Sequence, residues 1–305
     1  MASGSKKIII AALIGNTLIS ITKFIAALIT GSSAMLSEGI HSLVDTGNQI
    51  LLLHGLKQAK RPADENFPFG HGKEVYFWSF IVAILIFALG GGISIYEGIL
   101  HLRHPKPISK PVINYIVLGL ALIFEGAAWV FAFREFNRAK GKWGYIEAVQ
   151  RGKDPSMFVV MFEDSAAMLG LLVAFAGIAL TQVTGILYFD GTASIIIGLI
   201  LIGTAIWLAY ETKSLLIGES ANRPVINGIR EILKSNTLVE HVNEVLTMHM
   251  GPDFILVNIS VKFRQEATAG EIESTIARLD AAVKTVFPAV KRVFVEAEAR
   301  AEGGG

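Results

Sequence analysis

The stretch Ser37-Glu38-Gly39-Ile40-His41-Ser42-Leu43-Val44-Asp45-Thr46-Gly47-Asn48-Gln49 sets side chains of metal-ligand type inside an otherwise apolar, helix-forming segment. Each helical residue advances about 100 degrees, so with His41 as reference Asp45 lies about 40 degrees round, Glu38 about 60, Gln49 about 80, and Asn48 about 20 the other way. They share one stripe. His41 and Asp45, at i and i+4, make a two-ligand clamp on it. Ser, Asn, Gln and His also form interhelical hydrogen bonds in membranes, which is the competing use of the stripe.

A second group of acids stands in Met161-Phe162-Glu163-Asp164-Ser165-Ala166-Ala167-Met168-Leu169-Gly170. Glu163 and Asp164 project about 100 degrees apart, so one can face the first stripe while the other faces a neighbour or an aqueous vestibule. A tetrahedral divalent ion bound by His41, Asp45 and Asp164, with water or one more carboxylate as fourth ligand, satisfies the chemistry. Without a cation these acids would bring like charges together in low dielectric. The chain has no cysteine, so disulfides and thiolate ligands are excluded and any metal is held by nitrogen and oxygen.

The elements that carry these groups read as membrane spans. Apolar residues make up 52% of the 305, charged residues 17%, and mean hydropathy is +0.53; a soluble domain carries about 25% charged residues. Six stretches suit the roughly 20 apolar residues that a bilayer demands: about Lys7 to Thr30, Ala34 to His54, Val75 to Leu102, Val112 to Phe133, Phe158 to Thr181 and Thr192 to Tyr210. Lys6, Lys7, Lys57, Lys60, Arg61, Lys73 and the cations from Arg134 to Lys153 fall on one side. Only Arg103, Lys106 and Lys110 fall on the other, so both termini are expected in the cytoplasm. Asn16 and Lys23 mark the first segment as a retained helix, not a cleaved leader. The net charge of +1 gives no reason to expect a nucleic-acid partner.

Glu125 sits near the middle of the fourth stretch, where an acid is costly. It reads either as a ligand or proton-relay group, or as the partner of Lys23 in the first segment. His54, His101 and His104 lie near span ends and read as interfacial histidines, and the run from Arg134 to Lys153 reads as a solvated inside loop. The last ninety or so residues turn polar and read as a small α+β domain. Pro224 opens a helix, Val242 to Met250 alternates as a strand, and Gly251-Pro252-Asp253 turns into a second strand, Phe254 to Phe263. Thr268-Ala269-Gly270-Glu271 is a capping box starting a helix to about Phe287, and Val293 to Glu296 is the last strand.

Ser37 to Gln49, the loop Phe67-Pro68-Phe69-Gly70-His71-Gly72-Lys73-Glu74, and Phe162 to Gly170 together resemble the cation diffusion facilitators, the zinc transporter family, over nearly the whole chain. Lys153-Asp154-Pro155 ahead of Phe162-Glu163-Asp164-Ser165-Ala166 especially resembles the branch that includes human zinc transporter 9 and many bacterial relatives. The resemblance implies a six-helix transmembrane domain, residues 1–212, and a cytoplasmic ferredoxin-like domain (α-β-β-α-β), residues 213–300. Residues 301–305, ending in Gly303-Gly304-Gly305, are expected to be a tail of the kind that cloning leaves.

It further implies a homodimeric, non-enzymatic exporter without cofactor, exchanging zinc, or manganese, iron or cobalt, for protons, with a bacterial inner membrane as its expected location. The family's transport site takes a ligand pair from each of the second and fifth spans. Here His41 and Asp45 complete the first, whereas Asp164 has Val160 where its partner would stand, so water, Glu163 or Glu125 would fill the fourth position. Asp64 and His71 match a region that holds a second zinc in some members; a rigid Pro/Gly turn is the alternative. His241, His249, Glu296 and Glu298 read as ordinary surface or interface groups. Two other classes remain. A membrane zinc hydrolase lacks its usual His-Glu-x-x-His signature here, and a metal sensor would need no path through the bilayer.

Overall fold

The computed structural model describes residues 2–299, with side chains from residue 16 onward except those of Ala139, Gln150, Arg151 and Met157. The tail 301–305 lies outside the described residues. The chain divides into two compact units, residues 1–57 with 75–213, and residues 58–74 with 214–305. The loop 58–74, which the boundary at 212 assigns to the membrane domain, thus clusters with the second unit.

The first unit is helical: α1 Ala2–Thr30, α2 Ser33–Gln58, α3 Glu74–Leu85, a π-helical turn Ile86–Gly92, α4 Ile93–Arg103, α5 Pro111–Lys140, α6 Tyr145–Arg151, α7 Pro155–Thr184 and α8 Tyr188–Ile217. Among the described residues four stretches are long and apolar enough to cross a membrane: Glu74–Arg103, Pro111–Arg138, Phe158–Thr184 and Tyr188–Ile217. In α1 the apolar run within the described side chains is the shorter Asn16–Thr30. Helix α2 has the length, at 26 residues, but its polar stripe keeps it out of that set.

Local signals set the helix ends. Asp154 caps α7, accepting from the Ser156 backbone N–H at 3.1 Å, and Pro155 follows at the first helical position, where its missing N–H costs nothing. This gives Lys153-Asp154-Pro155 its structural meaning. Helices Glu74–Arg103 and α8 meet through small residues seven apart, Gly91 and Gly98 against Gly198 and Gly191. A Cβ on Gly98 would come 2.7 Å from the Gly191 carbonyl, and one on Gly198 would come 2.8 Å from that of Gly91. With no hydrophobic drive between helices in lipid, such backbone approach supplies the contact.

The run from Arg134 to Lys153, expected as a solvated loop, is corrected by the structure. It extends α5 and forms α6, with Phe136, Ala148 and Val149 buried in the helical core. Tyr145 stacks on Phe133 at 5.8 Å and Phe136 at 6.3 Å between ring centroids, and Lys140 lies 4.8 Å over its ring. These contacts hold a seven-residue helix too short to stand by itself.

In the second unit the order is α9 Arg223–Lys234, β1 Val239–Gly251, β2 Phe254–Phe263, α10 Ala269–Val286 and β3 Val290–Ala297. The sheet order is β1-β2-β3, with β1 antiparallel and β3 parallel to β2, and α10 supplies the crossover that a parallel pair requires. Central β2 buries Val257, Ile259 and Val261, against which lie Ile229 and Leu233 of α9 and Leu279 and Val283 of α10. Thr268 and Glu271 form the capping box: Thr268 N–H donates to Glu271 at 2.9 Å, and that bond holds the Glu271 carboxyl below its usual range. Glu298 accepts from Ser260 at 2.6 Å and Glu296 from Asn258 at 3.3 Å, so both acids serve the sheet.

Candidate metal site

Helix α2 presents the stripe as the spacing predicts, with Glu38, His41 and Asn48 buried. His41 Nδ1 stands 3.2 Å from Asp45 Oδ1, yet neither imidazole nitrogen has a hydrogen-bond partner. Two ligands at about 2.0–2.2 Å from one tetrahedral ion lie about 3.3–3.5 Å apart. The pair therefore has nearly the separation of a metal clamp and lacks the alignment of a hydrogen bond.

Asp45, Gln49, Glu125, Val160 and Asp164 line a single cavity of about 590 Å³ between α2, α5 and α7. The electrostatic neighbours of Asp45 are Glu163, Glu125 and Asp164, all acids. Glu163 turns to α2 and accepts from Asn48 Nδ2 at 2.6 Å, while Asp164 takes the cavity side. The two adjacent acids thus divide as their 100-degree offset predicts. Among the described residues no three His, Asp or Glu side chains already stand round one point at metal-binding distance.

Beside this cavity lies a network that the sequence reading caught only in part. Lys23 of α1, fully buried, donates to Glu38 at 3.1 Å, Ser42 at 2.7 Å and Glu125 at 2.8 Å. The ion pair with Glu125 was one of two readings for that acid; the share taken by Glu38 was missed, although opposite charges on successive apolar helices were its signal. Only one Glu125 oxygen is used, and Oε2 has no partner.

In the second unit His71 Nε2 lies 2.9 Å from Asp64 Oδ2, and Asp64 Oδ1 accepts from the backbone N–H groups of Asn66 and Phe67 at 3.0 and 2.8 Å. These bonds, His71 first, hold the Asp64 carboxyl below its usual range. The pair is brought together as a metal ligand set would need, and the same bonds make the rigid turn.

At the opposite end of the first unit His101 departs from the expected interfacial histidine. It is 8% exposed, with Nε2 3.7 Å from Asp190 Oδ2. Asp190 is fully buried and accepts from Ser32 Oγ at 2.5 Å and from Ser33 N at 2.6 Å and Oγ at 3.1 Å. The sequence offered no hint of this pairing, since the partners lie far apart along the chain.

A bilayer-type helical unit whose cavity is lined by acids, among them Asp45 of the His–Asp clamp, narrows the kinship, and comparison with known proteins agrees. The cation efflux transmembrane domain matches residues 9–217. The mitochondrial proton-coupled zinc antiporter SLC30A9 of Xenopus laevis is 36% identical over 263 residues, which is 85% of this chain and 47% of that protein. The human form is 33% identical over the same length, 85% of this chain and 46% of its own. The chain thus spans about half the length of these curated relatives. The manganese efflux system protein MneP of Bacillus subtilis is 22% identical over 297 residues, 95% of each chain. Since the domain match runs from α1 to the end of α8 and takes in every helix that lines the cavity, the chain belongs to the cation efflux family.

Proposed function

We propose that the protein exports divalent cations, zinc foremost, in exchange for protons by alternating access. The observation that carries this reading is the cavity joining Asp45, Asp164 and Glu125, with His41 3.2 Å from Asp45. Metal needs neutral imidazole and ionised carboxylate, so metal and proton exclude each other at such a site. His41, Asp45 and Asp164 capture the ion from the cytoplasmic side, helix rocking turns the site outward, and protonation there releases the cargo. Of the candidates for the fourth position Glu125 is favoured: it lines the cavity and keeps Oε2 unpartnered although Oε1 accepts from Lys23, whereas Glu163, held by Asn48, is not among the lining residues. Asp64 and His71 remain a candidate for a secondary site.

In this reading α1, α2, the rod Glu74–Arg103, α5, α7 and α8 are six spans. Both termini are cytoplasmic, and residues 213–300 are a ferredoxin-like domain that joins a homodimer. The match with MneP over 95% of each chain favours a bacterial plasma membrane as its location. Manganese is the second cargo, because three carboxylates against one imidazole weight the site toward harder ions.

The direct test is zinc uptake into liposomes reconstituted with the protein, with and without an opposing pH gradient. Gradient-driven uptake is expected; sound dimer that moves none of zinc, manganese, iron or cobalt would turn the assignment to a sensor. Val160 lines the cavity one turn before Asp164. Val160→His is therefore expected to tighten zinc binding by at least about tenfold, or 1.4 kcal/mol. Unchanged affinity by calorimetry would remove Val160 as the vacant ligand position.

A further inference from the structure

A second cavity, about 560 Å³, lies in the same helical unit and shares no lining residue with the first. Glu97, His101 and His104 line it together with Ser32 and Ser33 of the turn between α1 and α2. Glu97 and His101 fall one turn apart on one face of α4, and His104 is the residue that caps its C-terminal end. His101 is 8% exposed and its Nε2 has no hydrogen-bond partner. Buried polar atoms are nearly always partnered, so this nitrogen stands ready for a ligand.

Asp190 Oδ2, 3.7 Å away, is its nearest acid. A carboxylate offers about four acceptor positions; on Asp190, Ser33 occupies two on Oδ2 and Ser32 one on Oδ1, so the one left for a cation is on Oδ1. Glu97 is half-buried and His104 exposed, so both can rotate toward it.

We propose that His101, Glu97 and His104, with Asp190 behind them, form a second divalent-cation site at the end of the unit opposite the Asp45 cavity. Helix α2 links the two: Leu36 lines this cavity, and Asp45, nine residues on, is about 13 Å further along the axis. Cargo leaving His41 and Asp45 on the side of the α4–α5 loop would meet this site next. Lys106 also lines the cavity, and its positive charge weakens the hold on a cation, as a place of departure requires. The role as an exit station rests on the efflux reading; the existence of the site does not.

The test counts zinc bound per chain by equilibrium dialysis of the 305-residue protein in detergent, in the parent and in an Asp45→Ala background. In both, Glu97→Gln and His101→Gln are expected to remove the same weak zinc equivalent or lower its affinity at least tenfold, with Glu97→Gln leaving the melting temperature unchanged. An unaltered zinc count in both variants overturns the site. So does a lower melting temperature in His101→Gln without loss of zinc, because that outcome makes His101 a brace for Asp190 only. Liposome flux in the Asp45→Ala protein judges the efflux reading separately, since zinc lost with Glu97 stands whether or not that protein transports.

Discussion

Replacing Lys23 with methionine is expected to cost about 3–5 kcal/mol of stability, the penalty for removing one partner of a buried ion pair. An ammonium has three donors, and those of Lys23 meet Glu38, Ser42 and Glu125 from α2 and α5 at 2.7–3.1 Å. Methionine fills a similar volume but leaves Glu38, fully buried, and Glu125, 15% exposed, without their cation. Two carboxylates would then face each other in low dielectric, where they cannot both stay ionised. Thermal unfolding in detergent, followed by tryptophan fluorescence, reads the effect. The combination Lys23→Met, Glu38→Gln and Glu125→Gln is expected to recover most of the loss, since it removes the uncompensated charges with the cation. A Lys23→Met protein that melts with the parent would mean that water or a rearranged partner satisfies both acids.

The same network shows how far the sequence could be read. The polar stripe of α2, the six long helical segments and the order of the small domain follow from periodicity and capping, which act within a few residues. Partners across helices do not. Asn48 with Glu163, Lys23 with Glu38, and His101 with Asp190 are choices made by packing, and in a single chain each group had several possible mates. Helix α6 was missed because stacking on Phe133 and Phe136 holds it, not its own propensity. The glycine contact between α4 and α8 was legible in principle. Small residues seven apart on two apolar helices are its signature, and only the pairing of the helices was hidden.

Asp45→Ala is expected to reduce zinc uptake into proteoliposomes to the level of empty liposomes while the protein stays folded. Asp45 lines the cavity, 16% exposed, and is the acid placed 3.2 Å from His41. Groups that merely orient a metal ligand are worth about 10–100-fold, so loss of a ligand from so small a set takes flux below detection. Stability should move the other way. The electrostatic neighbours of Asp45 are Glu163, Glu125 and Asp164, and deleting one member of a cluster of acids relieves repulsion that the metal-free protein carries. An unchanged or raised melting temperature with no uptake is therefore the signature of a site kept for function at the expense of stability. The opposite pattern, active transport with a lowered melting temperature, would mean that Asp45 serves the packing of α2 and that the cargo takes another path. Asp164→Ala should repeat the first pattern from α7, which ties the loss to the shared cavity and not to one helix.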